Sequence, residues 1–241
     1  MAATPRMPGR VNDRRLYILA AILTPLIVLA GFACTYYLKP FFSTPDLPNH
    51  LVQVHGIVMT TWVLLFIVQV ALVATHRTRV HMRLGIAGSV LAALVVIVGV
   101  LTALDAAARG ATPGPPPLAF LVIPLGDMFV FAVLIGLALY FRRKPQIHKR
   151  LMLVAAINLT MPAIARIPLS FIYNGGPLAF FSITDLCLLA FVAYDTIKHR
   201  RLHPAFLWSV IFIIAFQPLR LLLAGTGVWM HFAAALVALV K

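Results

Sequence analysis

Seven stretches of about twenty mostly apolar residues follow one another along this chain, at 15–38, 51–75, 84–105, 118–141, 151–173, 177–197 and 205–223. Coiled as an α-helix at about 1.5 Å per residue, a run of that length matches the ~30 Å hydrocarbon thickness of a bilayer. Inside lipid only helices and closed barrels satisfy their own backbone hydrogen bonds, and continuous rather than alternating apolar runs select the helix. The predicted fold class is therefore all-α, a polytopic membrane bundle of seven transmembrane helices. Composition agrees: 62% of the 241 residues are hydrophobic and the mean hydropathy is +0.98, beyond the range of a water-soluble domain.

The tail "VWMHFAAALVALVK" is only half to two-thirds of a span, so residues 224–241 are expected to lie at the interface or to form a short eighth helix. Residues 1–241 read as one transmembrane domain. Around it are a basic tail, 1–14, and a Pro/Gly-rich outer loop, 105–117, expected to be extended and irregular. The first apolar run is longer than a signal-peptide core, and an uncleaved first helix is expected. Cys34 and Cys187 both fall within spans, far apart in sequence, which does not indicate a disulfide framework.

A net charge of +14 suggests a polyanion partner until its distribution is considered. Arg6, Arg10, Arg14 and Arg15 precede the first span, and Arg77, Arg79 and Arg83 follow the second. Arg142, Arg143, Lys144, Lys149 and Arg150 follow the fourth; Lys198, Arg200 and Arg201 follow the sixth. The other connections and the C-terminus carry only Lys39, Arg109 and Lys241. This alternation is the positive-inside pattern. It predicts a cytoplasmic N-terminus, an external C-terminal end and a bacterial cytoplasmic (inner) membrane, with the bilayer rather than nucleic acid as partner.

Two sets of polar residues stand out. At the basic ends of the spans are His76, His81, His148, His199 and His203. His76 and His81, five apart, cannot share one helical face, and Pro204 interrupts the helix that His199 and His203 would need. His81 and His148 are different. Each opens a span at the same membrane level, within a pattern that recurs 67 residues later: Val80, His81, Arg83 and Leu84 match Ile147, His148, Arg150 and Leu151. Topology accounts for the arginines. It does not account for the histidines, which can stay neutral and bind a metal or haem iron.

The second set, His55, Asp127, Arg166, Asp185 and Arg220, with Gln217 nearby, comes from five spans yet converges ~5 to 15 Å below the outer surface, counting helical rise. Charged residues at that depth must face the bundle interior and find partners. They read either as an ion-paired structural network or as an outward-facing cavity whose arginines would hold an anionic group. The chain has no Gly-rich phosphate loop, Cys-x-x-Cys pair, nucleophile elbow or His-Glu-x-x-His, and all six of its acidic residues are aspartates.

The stretch "HGIVMTTWVLLFIVQVALVATHRTRVHMRLGIAG", residues 55 to 88, resembles a family of bacterial multi-pass membrane proteins of unknown function. The resemblance is carried by His55-Gly56, Trp62, Gln69, Arg77 and His81 followed by Leu84-Gly85, and it extends toward residues 148–166. It implies no activity. In layout the chain also resembles the ascorbate-reducible transmembrane cytochromes b, in which four histidines on four successive helices hold two haems. His55, His81 and His148 match three of those positions, while the fourth span has Asp127 and no histidine. That resemblance implies haem b on His81 and His148, with His55 left from an incomplete outer site.

The expected function is accordingly a membrane-embedded b-type haem electron carrier, with a quinone as candidate redox partner. The alternatives are a transporter or binding protein for a small anionic or amphipathic ligand in the outer-half cavity, and an accessory subunit of a membrane complex without chemistry of its own. A histidine-rich metal oxygenase or hydrolase face ranks below these, because carboxylate partners and adjacent histidine pairs are missing there. Whether the chain is an enzyme is left open.

Overall fold

The computed structural model describes residues 13–112 and 116–240, and every described element is helical. Arg6, Arg10, Lys241 and the middle of the 105–117 loop lie outside the described residues.

The first helix, α1 (Arg14–Phe32), continues through a π-helical turn to Tyr37. The next, α2 (His50–Ala74), starts where Asn49 Oδ1 accepts from Val52 N–H at 3.1 Å, capping one of the free amides of the first turn. A tight turn containing His76, at φ 61°, leads into α3 (Thr78–Ala108). Then come a short α4 (Pro117–Phe120) and α5 (Val122–Tyr140). After the basic turn the chain forms α6 (Pro145–Asn158), a single-turn α7 (Met161–Ile164), α8 (Ser170–His199), α9 (Pro204–Ala224) and α10 (Gly227–Ala238).

Six segments among the described residues are long and apolar enough to cross a bilayer: 14–37, 50–74, 78–108, 117–143, 170–199 and 204–224. They make a helical membrane bundle. The apolar run at 151–173 is not one long helix. Its helix stops at Asn158 and restarts for one turn at Met161, and Ile167 to Leu169 are not helical. Pro162 and Pro168 explain the breaks, since each lacks an amide hydrogen and Pro168 drives Ile167 away from helical geometry. The next helix is bent as well: Gly176 adopts φ 52°, ψ −141° just before Pro177.

At one end of the bundle α1, α3, α6 and α9 begin and α2, α5 and α8 finish. This basic end carries 13 of the 17 described arginines and lysines. The broken α6–α7 segment runs beside α1 from Asp13 to Gly31. Lys149 pairs with Asp13 at the basic end, and at the other end Gly31 lies so close to Ala163 that a Cβ would sit 2.1 Å from its carbonyl oxygen.

The centre is α5, whose Val130, Phe131, Leu134 and Ala138 are at most 1% exposed. Around it one apolar cluster joins Leu153, Leu188, Phe206 and Ile213. A second, at the far end, joins Leu121, Met161, Ile164, Phe181 and Trp229. Through Trp229, whose Nε1–H donates to the Leu118 carbonyl at 2.8 Å, α10 docks on that far end. Outward faces stay apolar, as lipid contact requires: Ile86 is 70% exposed, Leu186 67% and Leu222 76%.

Candidate functional site: a paired-histidine centre and two buried ion networks

The arrangement with most chemical capacity lies at the basic end. His81 is the fourth residue of α3 and His148 the fourth of α6. Their rings, both half-buried, face each other with centroids 6.3 Å apart and planes at 76°. Each is held through Nδ1. His148 Nδ1 lies 2.8 Å from the Ala138 carbonyl of α5. A carbonyl oxygen only accepts, so Nδ1 carries the hydrogen and Nε2 keeps its lone pair. His81 Nδ1 is met by the Gln69 side chain of α2. Oriented so that both ends of its amide are satisfied, Gln69 donates to His81 Nδ1 at 2.7 Å and accepts from Gly85 N–H at 3.2 Å. Half a turn of that amide would offer oxygen to His81 instead and move the ring proton to Nδ1.

Gln69, His81 and Gly85, noted in the sequence as separate features, thus form one contact. Trp62 of the same stretch is 5% exposed and stacks edge-on against Phe131, 5.1 Å between centroids, which fixes α2 to the central helix.

Beside this pair is a buried ion network. Arg150, only 2% exposed, makes a bidentate pair with the fully buried Asp195 of α8: Nε to Oδ2 at 3.1 Å and NH2 to Oδ1 at 2.9 Å. It also donates to the Gln146 carbonyl and side-chain oxygens. His199 stands between two carboxylates, its Nδ1 2.8 Å from the Asp195 carbonyl and its Nε2 3.1 Å from Asp13 Oδ1. Asp13, Asp195 and His199 offer ligand atoms within 4.8 Å of one another. Lys149 and Arg150 already neutralise those carboxylates, which leaves little anionic capacity for a divalent cation. His203 joins no metal set. Its Nδ1 caps α9 by accepting from Ala205 N–H at 3.1 Å, and burial together with the nearby Arg150 charge holds its imidazole below the ordinary range.

The other predicted set is brought only partly together. Arg220, 3% exposed, donates to Asp127 Oδ1 at 2.5 Å and to the Ile123 carbonyl at 3.2 Å. Its guanidinium lies over Phe181 and Phe216, 4.9 and 5.3 Å from the ring centres. Gly126 makes room for it: a Cβ there would stand 2.2 Å from Arg220 Cδ. Asp185 receives the Gln217 Nε2–H at 2.9 Å. Arg166 stays apart, exposed, donating to the Pro162 carbonyl with its guanidinium over Phe32. Its charge acts on His55, whose buried Nδ1 has no partner among the described residues. His55 enters near the start of α2, at the opposite end from the His81–His148 pair.

Sequence reasoning did not find Arg150 and Asp195. A basic residue just after a turn reads as topology, and only the presence of an aspartate one turn before the end of α8 signals a partner. No protein-family model, no curated protein and no solved structure matches the chain.

Proposed function

We propose that this chain is a membrane-embedded b-type haem electron carrier in a bacterial cytoplasmic membrane, with His81 and His148 as the axial ligands and a quinone as redox partner. In this reading α6–α7 is a seventh crossing, the N-terminus is cytoplasmic, and the histidine pair lies near the cytoplasmic face.

One observation carries it: the facing of His81 and His148 at 6.3 Å. Two imidazoles facing each other from neighbouring helices would be the residues to hold a haem iron. The donor chemistry fits. In its neutral form His148 keeps a lone pair on Nε2, with its Nδ1–H on a backbone carbonyl, the support that ligating histidines usually have. His81 reaches the same state when the Gln69 amide presents its oxygen. Bound there, haem would supply a reversible one-electron couple, and Ala138 and Gln69 would hold the two rings in place. Arg79, Arg83, Arg143 and Lys144, all exposed at that end, supply positive charge for propionates or for an anionic redox partner.

The ligand-binding alternative draws less support. Arg220 is already neutralised by Asp127, so of the two intramembrane arginines only Arg166 remains for an anion.

The test is an absorption spectrum of the gently purified protein from haem-replete expression, oxidised and then reduced with dithionite. A Soret band that sharpens and shifts on reduction is expected, with loss of the band in His81→Ala and His148→Ala. A flat visible spectrum from folded, monodisperse protein would discard the haem reading and leave an accessory or ligand-binding role.

A further inference from the structure

The cluster at the far half of the bundle is out of electrical balance. Asp127 and Arg220 neutralise each other inside the bundle. Among the described residues Asp185 accepts from the amide of Gln217, a neutral donor, and forms no ion pair of its own, although the Arg220 charge acts on it. Among the described groups that act on it, α9 contributes both, the Gln217 amide by hydrogen bond and the Arg220 guanidinium by charge, and Arg220 is itself paired with Asp127 of α5. Two carboxylates therefore share one guanidinium.

Depth makes the imbalance matter. Asp185 is 14 residues before His199 on α8 and Gln217 is 13 after Pro204 on α9, which places both about 20 Å from the basic end of a ~30 Å apolar layer. Asp185 sits at the seam of the two helices. On one side are the buried Phe181, Thr184 and Leu188; on the other are Leu186, 67% exposed, and Leu189, 42% exposed, which face lipid. An ionised carboxylate in that position is poorly hydrated and has only the Arg220 charge, already paired with Asp127, to offset it.

We infer that Asp185 is a proton-binding site in the membrane interior, holding a proton that is exchanged at the α8–α9 seam, with Gln217 donating to its carbonyl oxygen. A metal cation would need several oxygen ligands, and the seam presents one carboxylate and one amide. The inference is independent of the haem reading, since no residue is shared between the two sites.

A hydrophobic carbodiimide, dicyclohexylcarbodiimide, tests it on the full-length protein in detergent or liposomes. The carboxylic acid adds across one C=N bond: its proton goes to nitrogen and its oxygen to the central carbon. An oxygen-to-nitrogen acyl shift then leaves a stable N-acylurea, and nothing departs. Peptide mass mapping should find the adduct on Asp185 at mildly acidic pH in preference to the exposed Asp46. Labelling should fall roughly ten-fold per pH unit above the midpoint and vanish in Asp185→Asn. Should that variant fail to fold, infrared spectroscopy of the wild type supplies the same reading through a protonated-carboxyl carbonyl band that disappears on alkalinisation. An unmodified Asp185 in folded protein at mildly acidic pH, labelling that ignores pH, or protection by sodium or lithium at constant pH would overturn the proton assignment.

Discussion

At the scale of single residues, one large energetic commitment is Arg150 with Asp195. Two charges have left water, and their mutual attraction plus the Gln146 contacts offset that loss only while both are present. Asp195→Ala leaves an unpaired buried guanidinium and should cost about 3–5 kcal/mol. Replacing both, as Arg150→Met with Asp195→Leu, should recover most of the loss, because a well-packed apolar pair avoids the desolvation penalty. Thermal unfolding of the two variants in detergent measures this. If Asp195→Ala unfolds with the wild type, the pair does not stabilise the fold. The same residues mark what a sequence hides. His81 and His148 could be placed at one level because both open apolar runs. Arg150, at the position matching Arg83, looked like one more orienting charge. Arg83 is exposed and Arg150 is buried, and the difference arises from which face of α6 turns toward α8, a tertiary fact that no local pattern contains.

Among the elements, the broken α6–α7 segment depends on close approach to α1. Gly31 faces the backbone of Ala163, and backbone cannot rotate aside as a side chain can. Gly31→Ala should therefore force the helices apart at a cost of about 1–3 kcal/mol. Gly136→Ala is the control: no atom lies within 4 Å of a Cβ there, and alanine should stabilise α5 by up to about 1 kcal/mol. Equal unfolding midpoints for the two variants would show that the Gly31 contact is not tight in solution. The positions of six spans were legible, since apolar length alone reports a span. The breaks around Thr160 and Ile167 were obscured because residues 151–173 have the composition of a span, and composition does not reveal where prolines interrupt hydrogen bonding. The docking of Trp229 on Leu118 joins positions 111 residues apart and was equally hidden, whereas the Asn49 cap of α2 is a local signal.

For the whole molecule, charge and helix direction make a joint prediction about orientation. Of the three basic residues described at the far end's connections, two are compensated locally, Lys39 by Asp46 and Arg109 by Asp105, and Arg166 is the third. The Lys39 hydrogen bond and then its charge hold the exposed Asp46 carboxyl below the usual range. The basic end keeps its excess, and the N-terminus should face the cytoplasm. Three single cysteines in a background lacking Cys34 and Cys187 test this, at positions 46, 144 and 169. With a membrane-impermeant maleimide on intact cells, Asp46→Cys should react, and Lys144→Cys should react only after permeabilisation. Leu169→Cys, 46% exposed just beyond α7, decides the count. Labelling from outside means that α6–α7 crosses as a seventh span, as its course from Lys149 beside Asp13 to Ala163 beside Gly31 implies. Labelling only after permeabilisation, together with Lys144→Cys, would make that segment re-entrant. The direction of α8 would then conflict with the charge pattern, and the placement of the His81–His148 pair near the cytoplasmic face would fall with it.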